Sequence, residues 1–75
     1  MKELTIAVVG ATGAVGQEIL KVMAERKIPY KELRLLASKR SAGTEIEYQG
    51  KTYTVQETTE NSFDDVDLAL FAGGP

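Results

Sequence analysis

Leu4-Thr5-Ile6-Ala7-Val8-Val9-Gly10-Ala11-Thr12-Gly13-Ala14-Val15-Gly16 is the stretch from which the fold is read. Its first six residues are an almost unbroken apolar run, the pattern of a strand buried on both faces of a parallel sheet. Gly10 stops the run, and from Val15 the apolar residues take up the period of a helix. Val15, Ile19, Val22 and Met23 fall on one helical face. Gln17, Glu18, Lys21 and Glu25 take the other, and the helix is expected to run to Arg26 or Lys27. Ile28-Pro29 ends it, because a residue before proline is driven out of the α region. The three glycines of the turn each have a mechanical task. Gly10 turns the chain off the strand, Gly13 lets backbone N–H groups approach a ligand, and Gly16 lets the helix pack closely on the sheet. Between a buried strand and an amphipathic helix, such a turn presents free amides and a positive dipole end to the pyrophosphate of a dinucleotide. The spacing is G-x-x-G-x-x-G, and no Gly-Lys-Ser/Thr follows, so it is not a Walker A loop. A tight strand-to-helix turn with no ligand is the plainer alternative.

Outward from this unit, Leu33 to Ala37 predicts a second buried strand, and Ser38-Lys39-Arg40-Ser41-Ala42-Gly43 a polar loop. Thr44 to Glu57 has the alternation of a hairpin about Gln49-Gly50, with Tyr48 and Tyr53 paired across it. Tyr30 is expected near the helix end. Thr58 to Asp65 is polar, with room for one helical turn around Ser62 to Asp65. Asp64 and Asp65 read as a helix terminus or solvated loop rather than an acid pair. Val66 to Phe71 predicts a third buried strand, followed by Ala72-Gly73-Gly74-Pro75. The order strand, helix, strand, hairpin, strand is α/β: a partial Rossmann-type parallel sheet with an inserted β-hairpin. One helix cannot cover both faces of a parallel sheet. Residues 1–75 are therefore expected to be the N-terminal part of a dinucleotide-binding domain within a larger α/β protein.

The end of the second strand discriminates between cofactors. An NAD site places Asp or Glu there to bind the ribose hydroxyls. Here Ser38-Lys39-Arg40-Ser41 offers two cations and no acid. Arg40 suits bidentate hydrogen bonds to an adenosine 2′-phosphate, with Ser38 and Ser41 as further donors, which favours NADP. For Lys39 alone, a solvated loop position is the preferred reading. Gly73 and Gly74 follow the third strand, on the carboxyl edge that also carries Gly10; they either admit the cofactor or form a simple loop.

Composition narrows the chemistry. The 75 residues carry a net charge of −2, without the basic excess of a nucleic-acid-binding surface. Absence of cysteine removes disulfides and thiolate metal sites, and absence of histidine removes the commonest general base and metal ligand. No metal site is expected. The N-terminal apolar run is too short for a signal peptide or membrane span, so a soluble, cytoplasmic protein is expected.

Four blocks together resemble the N-terminus of the bacterial aspartate-semialdehyde dehydrogenase family: Ala7–Gly16, Leu36–Gly43, Thr58-Thr59-Glu60 and Asp67–Gly74. The glycine block is shared with other reductases, whereas Ala-Ser-x-Arg-Ser-Ala-Gly is more particular. The resemblance implies NADPH-dependent reduction of L-aspartyl 4-phosphate to aspartate 4-semialdehyde with release of phosphate, a step toward lysine, methionine and threonine. It implies a cysteine nucleophile, a histidine acid/base and a substrate-binding arginine, all outside this chain, so these residues alone are not expected to be catalytic. It also implies pyrophosphate contacts at Thr12, Gly13, Ala14 and Val15, 2′-phosphate contacts at Ser38, Arg40 and Ser41, and a place for Gly73 near the nicotinamide. A two-domain, homodimeric or homotetrameric full-length protein is implied, with the rest of the cofactor domain and a catalytic and dimerisation domain outside residues 1–75. The alternatives are N-acetyl-γ-glutamyl-phosphate reductase, against which the Ser-Lys-Arg-Ser loop argues, and a non-catalytic NADP-binding module.

Overall fold

The computed structural model describes residues 3–72. Strand β1 (Leu4–Val9) leads into helix α1 (Ala14–Glu25), which returns to β2 (Tyr30–Ala37). A hairpin of β3 (Glu45–Tyr48) and β4 (Lys51–Thr54) follows, then the short β5 (Gln56–Glu57), a 3₁₀ turn over Glu60–Phe63 and β6 (Leu68–Phe71). Four strands form one sheet in the order β5-β2-β1-β6. Each neighbouring pair is parallel. The hairpin is a separate two-stranded antiparallel sheet.

The expected strands and helix are present, with differences in extent. The third strand, expected buried over Val66 to Phe71, spans only Leu68–Phe71, and both its end residues are exposed. β2 begins at Tyr30, three residues before the expected apolar run, because its first residues pair with β1. Gln56 and Glu57, expected to finish the hairpin, pair with Leu36 and Ala37 and become the sheet edge instead. The helical turn lies earlier than expected: a capping box between Thr59 and Ser62 fixes its start.

The helix also presents a different face. Gly16, Leu20 and Met23 are buried, whereas Val15, assigned to the buried face, is 53% exposed. A glycine carries no hydropathy signal, yet Gly16 makes the closest approach to the sheet. The helix ends in a Schellman motif. Lys27 takes a positive φ of 52° and donates to the Ala24 carbonyl at 3.2 Å, and Ile28 N–H reaches back to Met23 at 3.1 Å.

The main core lies between the sheet and α1. Ile6 and Val8 of β1 and Leu33 and Leu35 of β2 meet Leu20 and Met23 there. The hairpin closes one end. Tyr48 is buried and its hydroxyl donates to the Leu20 carbonyl at 2.6 Å. Tyr48 and Tyr53 do approach, at 6.3 Å between ring centres, although the residues directly opposite are Ile46–Tyr53 and Tyr48–Lys51. Tyr30 opens β2 and donates its hydroxyl to Gln49 at 3.1 Å.

The second sheet face is less bare than one helix would leave it. Thr5, Ala7 and Leu36 are fully or almost fully buried, and the β5-to-β6 connection runs across this face. Phe63 stacks on Phe71 with 6.1 Å between ring centres. Arg34 donates to the carbonyls of Ser62 at 3.0 Å and Asp64 at 2.6 Å, and pairs with Glu32. That pairing holds the Glu32 carboxyl below its ordinary pKa. Asp64 ends the 3₁₀ turn, as expected of a helix terminus. Asp67, by contrast, continues the ladder: its carboxylate accepts from Thr5 N–H, and its own N–H donates to the Thr5 carbonyl, both at 2.9 Å.

Candidate cofactor-binding site

The carboxyl ends of the parallel strands bring together segments far apart in sequence. A cleft of about 370 Å³ opens there, lined by Gly10, Thr12 to Gly16, Ala37, Ser38, Ser41 and Ala72. The glycine turn and the loop after β2, recognised separately in the sequence, thus share one cavity. Arg40 is exposed in the same loop, outside the cleft wall. Gly73 lies outside the described residues.

Each glycine's role can be read from its surroundings. Gly10 has a φ of 85°, a conformation that L side chains rarely adopt, and a Cβ there would strike the Ala72 carbonyl oxygen. At Gly16 a Cβ would run into the Gly10 carbonyl oxygen and come within 2.7 Å of Ala11 Cα. Both positions are dictated by the fold. Gly13 differs, because a Cβ would meet only the Gly10 oxygen at 3.6 Å, an ordinary contact. The protein's own packing does not demand glycine there, which leaves open space over the helix N-terminus of the kind a bound group requires.

The amides divide the same way. Those of Gly10 and Ala11 donate to the Leu36 carbonyl at 2.8 and 3.1 Å, and that of Gly13 donates to Gly10 at 3.1 Å. These bonds fix the turn. The amides of Ala14, Val15 and Gly16, in the first turn of α1, have no carbonyl four residues back within the helix. Gly13 is the N-cap and makes no side-chain cap bond. Polar amides and the positive end of a helix dipole therefore face a cleft, an arrangement that suits an anion. Among the described residues no group of three or more His, Cys, Asp or Glu could hold a metal. Among the same described residues no helix is long and apolar enough to cross a membrane.

The loop after β2 is closed by its own backbone. The Ser38 carbonyl accepts from Ser41 N–H at 2.9 Å and Ala42 N–H at 3.0 Å, and Gly43 N–H joins the loop to Val55 at 2.7 Å. Ser38 and Ser41 sit on the cleft wall with no carboxylate among its lining residues. Thr58, quoted in the sequence only as part of a resemblance block and given no role, donates both its N–H and its hydroxyl to the Ala37 carbonyl, at 2.9 and 3.1 Å.

A parallel sheet with a glycine turn at its carboxyl edge defines a nucleotide-binding α/β domain. This chain belongs to the family described as "Semialdehyde dehydrogenase, NAD binding domain", which matches residues 5–75. Among its relatives, the aspartate-semialdehyde dehydrogenase of Bacillus subtilis is 52% identical over 71 residues, covering 95% of this chain and 20% of the relative. That of Aquifex aeolicus is 51% identical over 70 residues, covering 92% of this chain and 21% of the relative. A crystal structure of aspartate semialdehyde dehydrogenase II from Vibrio cholerae, complexed with ASA, superposes with a TM-score of 0.89 at 45% identity. It covers 97% of this chain and 24% of that one. The chain thus spans about a fifth of the length of the first of these relatives. The family match supports a nicotinamide-nucleotide-binding role for this segment, as the sequence blocks implied.

Proposed function

We propose that this chain is the NADP-binding segment of an enzyme that reduces L-aspartyl 4-phosphate to aspartate 4-semialdehyde with release of phosphate. The observation that carries the cofactor choice is the shared cleft, in which Ser38 and Ser41 stand opposite the glycine turn without an acidic residue. A carboxylate at that place would repel a 2′-phosphate, whereas two hydroxyls and the nearby Arg40 guanidinium would receive it. The amides of Ala14 and Val15, with Thr12 and Gly13, hold the pyrophosphate against the helix N-terminus. When bound, NADPH supplies the hydride. Gly73, Gly10 and Gly16 complete the cofactor contacts in this reading, the last two by shaping the turn. The cysteine, histidine and arginine that act on the substrate belong to the remainder of a full-length enzyme, which works as a homodimer or homotetramer in the cytoplasm.

The test is a titration of the full-length protein with NADPH and NADH, paired with an assay on L-aspartyl 4-phosphate and N-acetyl-γ-glutamyl phosphate. Tighter binding of NADPH and turnover of the aspartyl substrate are expected. Equal affinity for NADH would overturn the NADP assignment, and turnover of only the acetylglutamyl substrate would overturn the reaction assignment.

A further inference from the structure

We infer that Thr58 is a positioning residue for cofactor discrimination: it fixes the peptide that starts the 2′-phosphate loop without touching the cofactor. This inference rests on the NADPH reading above. Consecutive carbonyls of β2 point to opposite sides, and both are held. The Leu36 carbonyl is taken from the β1 side by Gly10 and Ala11. The Ala37 carbonyl is taken from the other side by Thr58, through its N–H at 2.9 Å and its hydroxyl at 3.1 Å.

Ala37 ends β2, and Ser38 begins the loop. No peptide in the described chain is cis, so the Ser38 N–H points away from the Ala37 carbonyl. β5 and β1 flank β2 on opposite sides. With the carbonyl drawn toward Thr58, the Ser38 amide is turned toward β1 and the cleft beside the glycine turn.

The clamp extends into the loop. The Ser38 carbonyl closes the turn by accepting from Ser41 and Ala42. A rotation of the Ala37–Ser38 peptide therefore carries both cleft-lining serines with it. Thr58 itself is braced from behind, because the next residue, Thr59, caps the 3₁₀ turn with Ser62, and Ser62 Oγ reaches the Glu57 carbonyl at 3.2 Å. A backbone N–H alone leaves the carbonyl free to swing in the plane of one bond; the added hydroxyl fixes its direction.

The experiment measures NADPH and NADH dissociation constants for the full-length protein and its T58V and T58S variants. Valine keeps the shape and the N–H bond but removes the hydroxyl, whereas serine retains it. Loss of one neutral hydrogen bond predicts NADPH binding weaker by about threefold to tenfold in T58V, with NADH changed by less than about twofold. T58S is expected to keep the wild-type ratio. If T58V does not fold, T58A in the same titration replaces it. An unchanged NADPH-to-NADH ratio in the hydroxyl-free variant, or equal weakening of both cofactors, overturns the inference. Wild-type protein without NADPH preference sinks the underlying NADP reading instead.

Discussion

The carbonyl oxygen of Gly10 occupies the space that a side chain on Gly16 would need. The strand end and the first helical turn are therefore packed backbone to backbone, six residues apart. Gly16→Ala is expected to force them apart and destabilise the full-length protein by about 1–3 kcal/mol, the usual range for overpacking. Gly13→Ala is expected to leave the melting temperature almost unchanged, since its Cβ would make an ordinary contact at 3.6 Å, and yet to weaken NADPH binding. Thermal melts with cofactor titrations separate the two, and a cofactor-neutral Gly13→Ala would remove Gly13 from the phosphate site.

Arg40 is exposed and shares a loop with two serines of the cleft wall. Arg40→Ala is expected to weaken NADPH binding by about tenfold or more, the loss of charge-assisted hydrogen bonds, with little effect on NADH. Raised salt should narrow the wild-type difference, because this guanidinium stays in contact with solvent. Equal loss for both cofactors would place Arg40 away from the 2′-phosphate.

Lys27 holds a positive φ of 52° in the Schellman motif that ends α1. Glycine suits that conformation without a Cβ penalty. Lys27→Gly is thus expected to stabilise the protein by about 0.5–1 kcal/mol despite adding backbone freedom to the unfolded chain. A urea midpoint that moves downward would contradict this account of the cap.

Burial pushes the Tyr48 phenol above its ordinary value, and burial together with Tyr53 pushes Tyr30 up as well. The folded state holds these protons more tightly than the unfolded chain. Their contribution is present in full below the ordinary value of 10.0 and is lost as pH rises from there through the folded values. Tyr48→Phe is expected to cost about 1 kcal/mol at pH 8, because the bond to the Leu20 carbonyl disappears. It should also show a shallower fall above about pH 10 than the wild type. Parallel alkaline slopes in urea melts would exclude Tyr48 as a contributor.

The features legible in the sequence were those with a local cause. The Leu4–Val9 run, the glycine turn, and the Gln49-Gly50 turn, with φ of 51° and 80°, each carry their conformation in their own residues. β5 was not legible because Gln56 and Glu57 are polar and exposed, and only distant Leu36 and Ala37 make them a strand. Val15 was misplaced for a related reason: apolar periodicity cannot weigh a glycine, and the true contact ridge begins at Gly16. Ser38 and Ser41 were named for the chemistry of a 2′-phosphate, and the structure brings both to the cleft wall. Thr58 was quoted within a resemblance block but its role went unread, because it bonds to a backbone carbonyl 21 residues earlier, and no side-chain pattern records that.

The sheet order β5-β2-β1-β6 has one more consequence. The chain lays β2 and β5 to one side of β1, then crosses back and sets β6 on the other. In a sheet wound this way, the crevice lies outside the carboxyl ends of the two strands at this topological switch point. Gly10 and Ala72 are its two lips. The place of the cleft is thus decided by the sequence in which the strands are laid down, before any side chain is chosen to line it.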